Sequence, residues 1–131
     1  MEKRIVNPWT WQEQFGFSHA QEVRGAQQVL YVAGQASVDA NGNPSHEGDM
    51  KAQLTQAFDN VETVLKEAGF SLSDVVRLNY YTTDIDAFFE AHDVITTRLA
   101  ATGSRPAGTL LGVQRLAFPG LLIELEATAV K

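Results

Sequence analysis

The chain has 131 residues, a length that suits one domain with one hydrophobic core. Hydrophobic residues make up 44% and charged residues 20%, which excludes a disordered chain, and a net charge of -6 with ten scattered Lys and Arg leaves no basic surface for nucleic acid. The absence of cysteine excludes disulfides, thiolate nucleophiles and zinc–thiolate centres together.

Residues 1–8 hold no apolar leader segment, and no later apolar run approaches the roughly 20 residues of a membrane span. The expectation is a cytoplasmic protein, a single domain over residues 1–131, with neither a membrane nor a nucleic acid as partner. The first clear strand is predicted at 29–33, a continuous β-prone run after Gly25 and before Gly34-Gln35, one of two or three strands ahead of the first long helix. Its unbroken apolar character reads as a central strand buried on both faces. Turn formers crowd residues 39–44 and predict a loop. The loop begins like a calcium-binding one, but Pro44 stands where glycine is needed and Met50 where the bidentate glutamate would be, so no metal is expected.

Met50, Leu54, Ala57, Phe58, Val61, Val64 and Leu65 recur at spacings of three and four, which predicts a helix over 49–68 with Asp49 as N-cap and Gly69 just beyond its end. Ser71 to Asp74 predicts a short turn leading into an alternating strand at 75–83. Asp84 and Asp86 open a second helix carrying Ile85, Phe88, Phe89, Ile95 and Leu99 and ending near Gly103. Residues 109–113 and 121–130 complete the strands. Two helices and at least five strands give an α+β class: a mixed β-sheet with two helices packed on one face, and the other face open to subunit association.

Period two in the last strand places Leu122, Glu124, Glu126 and Thr128 on one face and Leu121, Ile123, Leu125 and Ala127 on the other. The two carboxylates are either charges on a wet sheet face or a general base that holds water. His92 falls on the packed stripe of the second helix, as a core residue or a ligand contact. His19 and His46 lie in loops, no histidine has a partner at metal-site spacing, and Ser18-His19 are neighbours that do not form a triad. Gly34 ends its strand either as a turn or as backbone opening into a cleft.

Phe17-Ser18-His19-Ala20, Val32-Ala33-Gly34-Gln35, Val64-Leu65-Lys66-Glu67-Ala68-Gly69, Pro106-Ala107 and Ile123-Glu124-Leu125-Glu126-Ala127, in that order, resemble the Rid family, also called YjgF, over essentially the whole chain. The resemblance implies a chorismate-mutase-like fold of the bacillus type that assembles as a homotrimer, its sheets forming a trimeric barrel with three clefts between subunits. In deaminating members an arginine after Pro-Ala binds the carboxylate of a 2-imino or enamino acid, while a glycine carbonyl and a strand glutamate place the attacking water. Hydrolysis of the C=N bond then releases ammonia and a 2-oxo acid, with no cofactor.

Carried onto this chain, the glycine is Gly34 and the glutamate Glu124; Phe17 stands for the usual tyrosine, His92 for an asparagine and Gly108 for the arginine. Losing a bidentate clamp removes a charge-assisted contact of about 1.5–3 kcal/mol. Arg105 would lie roughly 10 Å away on the opposite face of an extended strand, so only a bend at Pro106 brings it in; Arg77 and Arg115 are the other candidates. The expected clefts, formed by Phe17, Gly34, His92, Gly108 and Glu124, suit a larger or less polar ligand better than a small carboxylate. Glu124 would act as base, or position water, and His92 as proton donor, in hydrolysis or proton transfer on a small imine, enamine or carbonyl compound. The alternatives are a non-catalytic metabolite-binding trimer and a ribonuclease or translation inhibitor, the last opposed by the acidic charge.

Overall fold

A computed structural model describes residues 1–131. The chain opens with β1 (Glu2–Val6), a 3-10 turn (Trp11–Phe15) and β2 (Ala20–Arg24), followed by β3 (Val29–Ala36), α1 (Met50–Glu67) and β4 (Val75–Thr82). Then come α2 (Ile85–Glu90), α3 (Asp93–Thr102), β5 (Leu110–Gly112) and β6 (Ile123–Val130). β1 and β2 pair antiparallel as a separate two-stranded sheet. The main sheet runs β3-β6-β4-β5, with β4 and β5 parallel and the other pairs antiparallel.

α1 forms where its periodicity predicts. The Asp49 side chain accepts from the Ala52 amide at 3.0 Å and so satisfies one of the free N–H groups of the first turn. Leu54, Ala57, Phe58 and Val61 are fully buried and meet Ile123, Leu125, Ala127 and Ala129 of β6 in one core. Phe88, Ile95 and Leu99 of the later helices join the same core, so the helices cover one face of the sheet.

Two expectations need correction. β3 is an edge strand: Tyr31 is 80% exposed, and only Val32 and Ala36 of its residues are buried. Its apolar run reflects an apolar outer surface on the open face, which a sequence pattern cannot tell from double burial. The second helix is two helices, making three in all. Around Ala91 and His92 the ladder passes through three-residue spacings, His92 N–H to Phe89 O and Val94 N–H to Ala91 O, so the turn tightens with neither Pro nor Gly. No helix is long and apolar enough to cross a membrane.

Leu125→Ala is expected to lower the unfolding free energy by about 2–5 kcal/mol through loss of a fully buried side chain at the centre of the sheet. Asp49→Ala should cost only about 1 kcal/mol, as loss of a helix cap. Urea midpoints of the two variants measure the difference, and equal losses would contradict the core position of β6.

Candidate functional site

β6 alternates as expected, with Ile123, Leu125 and Ala127 inward and Glu124, Glu126 and Thr128 on the open face. The two carboxylates then differ in what holds them. Glu126 Oε1 accepts from Asn79 Nδ2 at 3.1 Å and from the Tyr81 hydroxyl at 2.9 Å. These hydrogen bonds, Asn79 first, hold the Glu126 carboxyl below its ordinary range, and the bond to Glu126 pushes the Tyr81 hydroxyl up. The Glu124 carboxylate has no hydrogen bond or ion pair within the chain.

Glu124 folds over Gly34. A Cβ at Gly34 would lie 2.7 Å from the Glu124 carboxyl carbon, so the absent side chain is what lets the carboxylate approach the backbone. Gly34 sits in the register break between Val32 and Gln35, where β3 bulges away from β6. Around this pair lies a pocket of about 320 Å³, completed by Tyr81, Glu126 and, from the segment after β5, Val113, Arg115 and Leu116. Arg115 is its one cation and makes no ion pair.

Phe17, His92 and Gly108 meet elsewhere. They line a second pocket of about 320 Å³ with Trp11, Tyr80 and Phe89 among its walls. Tyr80 and Leu78 reach it from the helix-facing side of β4, whereas Tyr81 serves the first pocket from the opposite side, so the two pockets lie on opposite faces of the sheet. The His92 ring packs against Phe88, Phe89 and Phe15 at 5.5, 6.1 and 6.1 Å between centroids. Burial lowers its pKa, opposed by the charge of Asp93. Burial alone pushes the Tyr80 hydroxyl far above the usual phenol range.

Gly108 is more than a position without an arginine. A Cβ built on it would overlap the carbonyl oxygen of Leu78, because residues 107–109 lie flat along β4 through Leu78 N–H to Ala107 O and Tyr80 N–H to Thr109 O, at 2.8 and 2.9 Å. No side chain fits there without moving backbone. Arg105 lines neither pocket; its carbonyl accepts from Ser18 Oγ and from Gln21 Nε2, and its Nη2 is buried without a partner. Arg77 lies on the open face of β4, near enough to Glu126 to lower its pKa. Of the three candidate cations, only Arg115 shares a pocket with Glu124.

Sequence reasoning did not single out Tyr80, Tyr81, Trp11 or Phe89. The adjacent tyrosines of an alternating strand point to opposite faces, and Trp9, Trp11, Phe15 and Phe17 are dense within one short stretch; both were available signals. In the 39–44 loop the Asp39 carboxylate accepts from the Asn41 and Asn43 amides, both at 2.9 Å, and closes a turn.

Gly34→Ala should cost less than about 1 kcal/mol of stability, since only the flexible end of Glu124 must move, whereas Gly108→Ala meets backbone and should cost about 1–3 kcal/mol. Paired urea titrations read both, and a Gly108→Ala protein as stable as wild type would refute the close packing. His92 gives a pH test. Because its folded pKa lies below the ordinary 6.5 or so, the unfolded chain binds a proton that the folded chain refuses below that pH, so stability falls on acidification and is unaffected above it. His92→Asn should flatten this part of the profile just below about pH 6.5, and an unchanged slope would contradict the burial of the ring.

The family model described as endoribonuclease L-PSP matches residues 13–131. A RutC family protein of Pyrococcus horikoshii is 34% identical over 102 residues, 78% of this chain and 79% of that protein. Among solved structures, the Rid protein YyfB of Yersinia pestis, described as of unknown function, aligns over 100% of both chains at 39% identity with a TM-score of 0.86. A YjgF-family protein of Mycobacterium tuberculosis aligns over 99% of this chain and 100% of its own at 31% identity and a TM-score of 0.65. On sequence and on architecture together, the chain belongs to the Rid family, also called YjgF, and has that family's α+β, chorismate-mutase-like fold.

Proposed function

We propose that this protein hydrolyses a small imine or enamine, with Glu124 as the base. The observation that carries the reading is the contrast between neighbouring carboxylates: Glu126 accepts from Asn79 and Tyr81 through one oxygen, while Glu124 lies beside the Gly34 backbone with no partner in the chain. A carboxylate so placed can hold a water between itself and the Gly34 carbonyl. Glu124 takes a proton from that water as the water oxygen attacks the C=N carbon and passes it to the nitrogen; it then takes the hydroxyl proton of the addition product and delivers it to the nitrogen as the C–N bond breaks and the C=O bond forms. One water is consumed, and one ammonia and one carbonyl compound leave. Arg115 supplies the positive charge for a substrate that carries a carboxylate.

Within one chain Glu124 does not meet Phe17 or His92, which occupy the other pocket. A homotrimer in which the Glu124 pocket of one copy abuts the aromatic pocket of the next would reunite them, with His92 as proton donor. The large exposed side chains Val29, Tyr31 and Leu111 favour such association of the sheets. The net charge of -6 and the two carboxylates of the pocket oppose binding of RNA. Gly108 favours a second reading, a trimer that binds metabolites without changing them, because no clamp fits at that position.

The test is the rate at which purified protein accelerates the decay of freshly generated short-chain 2-imino acids. Glu124→Gln should lower that rate by roughly 10²- to 10⁴-fold, and Arg115→Gln should act mainly through KM. Absence of any acceleration would overturn the catalytic reading and leave the binding one. Recovery of activity on mixing inactive Glu124→Gln and His92→Ala chains would be evidence for sites shared between copies.

A further inference from the structure

Gln53 and Asn60 stand seven residues, or two turns, apart on one face of α1. Gln53 is fully buried in a stretch that also buries Leu54, Ala57 and Phe58, a place where an unbonded amide is costly. Both its N–H groups and its oxygen are used on backbone. Nε2 donates to Gly120 O at 2.8 Å and to His46 O at 3.1 Å, and Oε1 accepts from the Leu122 amide at 2.8 Å. The Leu122 carbonyl accepts in turn from Thr82 Oγ1 at 2.7 Å and from the Thr83 amide at 3.1 Å. Both backbone polar groups of Leu122, two residues before Glu124, are therefore fixed.

Asn60 does the same for the facing strand. Its Nδ2 donates to Ala36 O at 2.9 Å and to Val38 O at 3.1 Å, while its Oδ1 accepts from Gln56 Nε2 at 2.9 Å. Ala36 is the residue that pairs with Glu124 between β3 and β6. The bulge explains why such an anchor matters: the ladder is interrupted between Val32 and Gln35, so no strand pairing fixes Gly34. Its place depends on how the chain is held on either side. Past the bulge the chain turns at once, the Val38 amide donating to Ala36 O at 2.9 Å around the fully buried Ser37, and Asn60 bonds both carbonyls of that turn. A leucine at either position would fill similar volume and leave these backbone groups without partners, so what the amides add is location, not bulk.

We propose that Gln53 and Asn60 are positioning residues: they tie the strand ends beside the Gly34–Glu124 pair to one helix and so set how closely the Glu124 carboxylate lies against the Gly34 backbone. Their effect on turnover rests on the reading of Glu124 as the base; their effect on geometry does not.

Two measurements on the full chain keep these apart. In the first, the Gly34 amide resonance is followed by NMR through the titration of Glu124. It should move with the carboxylate in wild type and stay still in Glu124→Gln, and in Asn60→Ala the movement should shrink several-fold. Val61→Ala removes a fully buried side chain from the same helix and none of these hydrogen bonds, so it should lower stability and leave the response intact. In the second, kcat for a short-chain 2-imino acid should fall by roughly 10- to 100-fold in Asn60→Ala with KM little changed, and should keep its wild-type value in Val61→Ala. Loss of the fully buried Gln53 endangers folding, so half-buried Asn60 supplies the decisive variant. A Gly34 resonance indifferent to Glu124, an unchanged response in Asn60→Ala, an equal loss in Val61→Ala, or turnover with kcat unchanged in Asn60→Ala would each overturn the proposal. Absence of turnover in wild type together with the expected NMR pattern would retire the hydrolytic reading and support the positioning role.

Discussion

The two-residue period of β6 organises the molecule. β6 lies between β3 and β4, and its inward residues Ile123, Leu125, Ala127 and Ala129 are all 2% exposed or less. They fix the register, because a slip of one residue would drive Glu124 and Glu126 into the core at prohibitive cost. The same alternation holds both carboxylates on the open face, against Tyr81 and Asn79 of β4. Core stability and the placing of both carboxylates therefore follow from one pattern, and neither can be shifted without the other.

Two glycines adapt that frame in different ways. At Gly34 the missing Cβ makes room for a side chain, and Glu124 takes the room. At Gly108 it makes room for backbone, and the Leu78 carbonyl takes it. The first arrangement tolerates change, because a carboxylate at the end of two methylene groups can swing away. The second does not, because β4 is fixed by β6 on one side and by residues 107–112 on the other. Exchanging Gly108 for arginine therefore differs in kind from restoring a lost contact: it would require the path of the chain after Pro106 to change.

Much of the frame was legible in the sequence. α1, β4 and β6 announce themselves through periodicity and caps, since amphipathic elements on a single core must repeat at 3.6 or 2 residues. The edge position of β3 was not legible, because Val29, Leu30 and Tyr31 look the same whether a second layer or an exposed face lies beyond them. Nor was the division at His92, where no breaker marks the tightening of the ladder. Of the site, the pairing of Glu124 with Gly34 follows from family likeness alone; nothing local links residues 90 positions apart. The engagement of Glu126 by Tyr81 and Asn79 depends on the register between β4 and β6, which only the fold supplies.

The departures from the family pattern fall together in space. Phe17 and Gly108, where the family resemblance implies a tyrosine and an arginine, line the same pocket, beside Trp11, Phe15 and Phe89. The walls of that pocket carry no Asp, Glu, Lys or Arg and are largely aromatic, with Tyr80, His92 and Thr109 as their polar residues. Burial acts in the same sense by disfavouring the charged form of His92. On the other face, Arg115 makes no ion pair and shares a pocket with Glu124. Within one chain the charged groups and the aromatic walls are thus held on opposite faces of the sheet, and only contact between copies would bring them together.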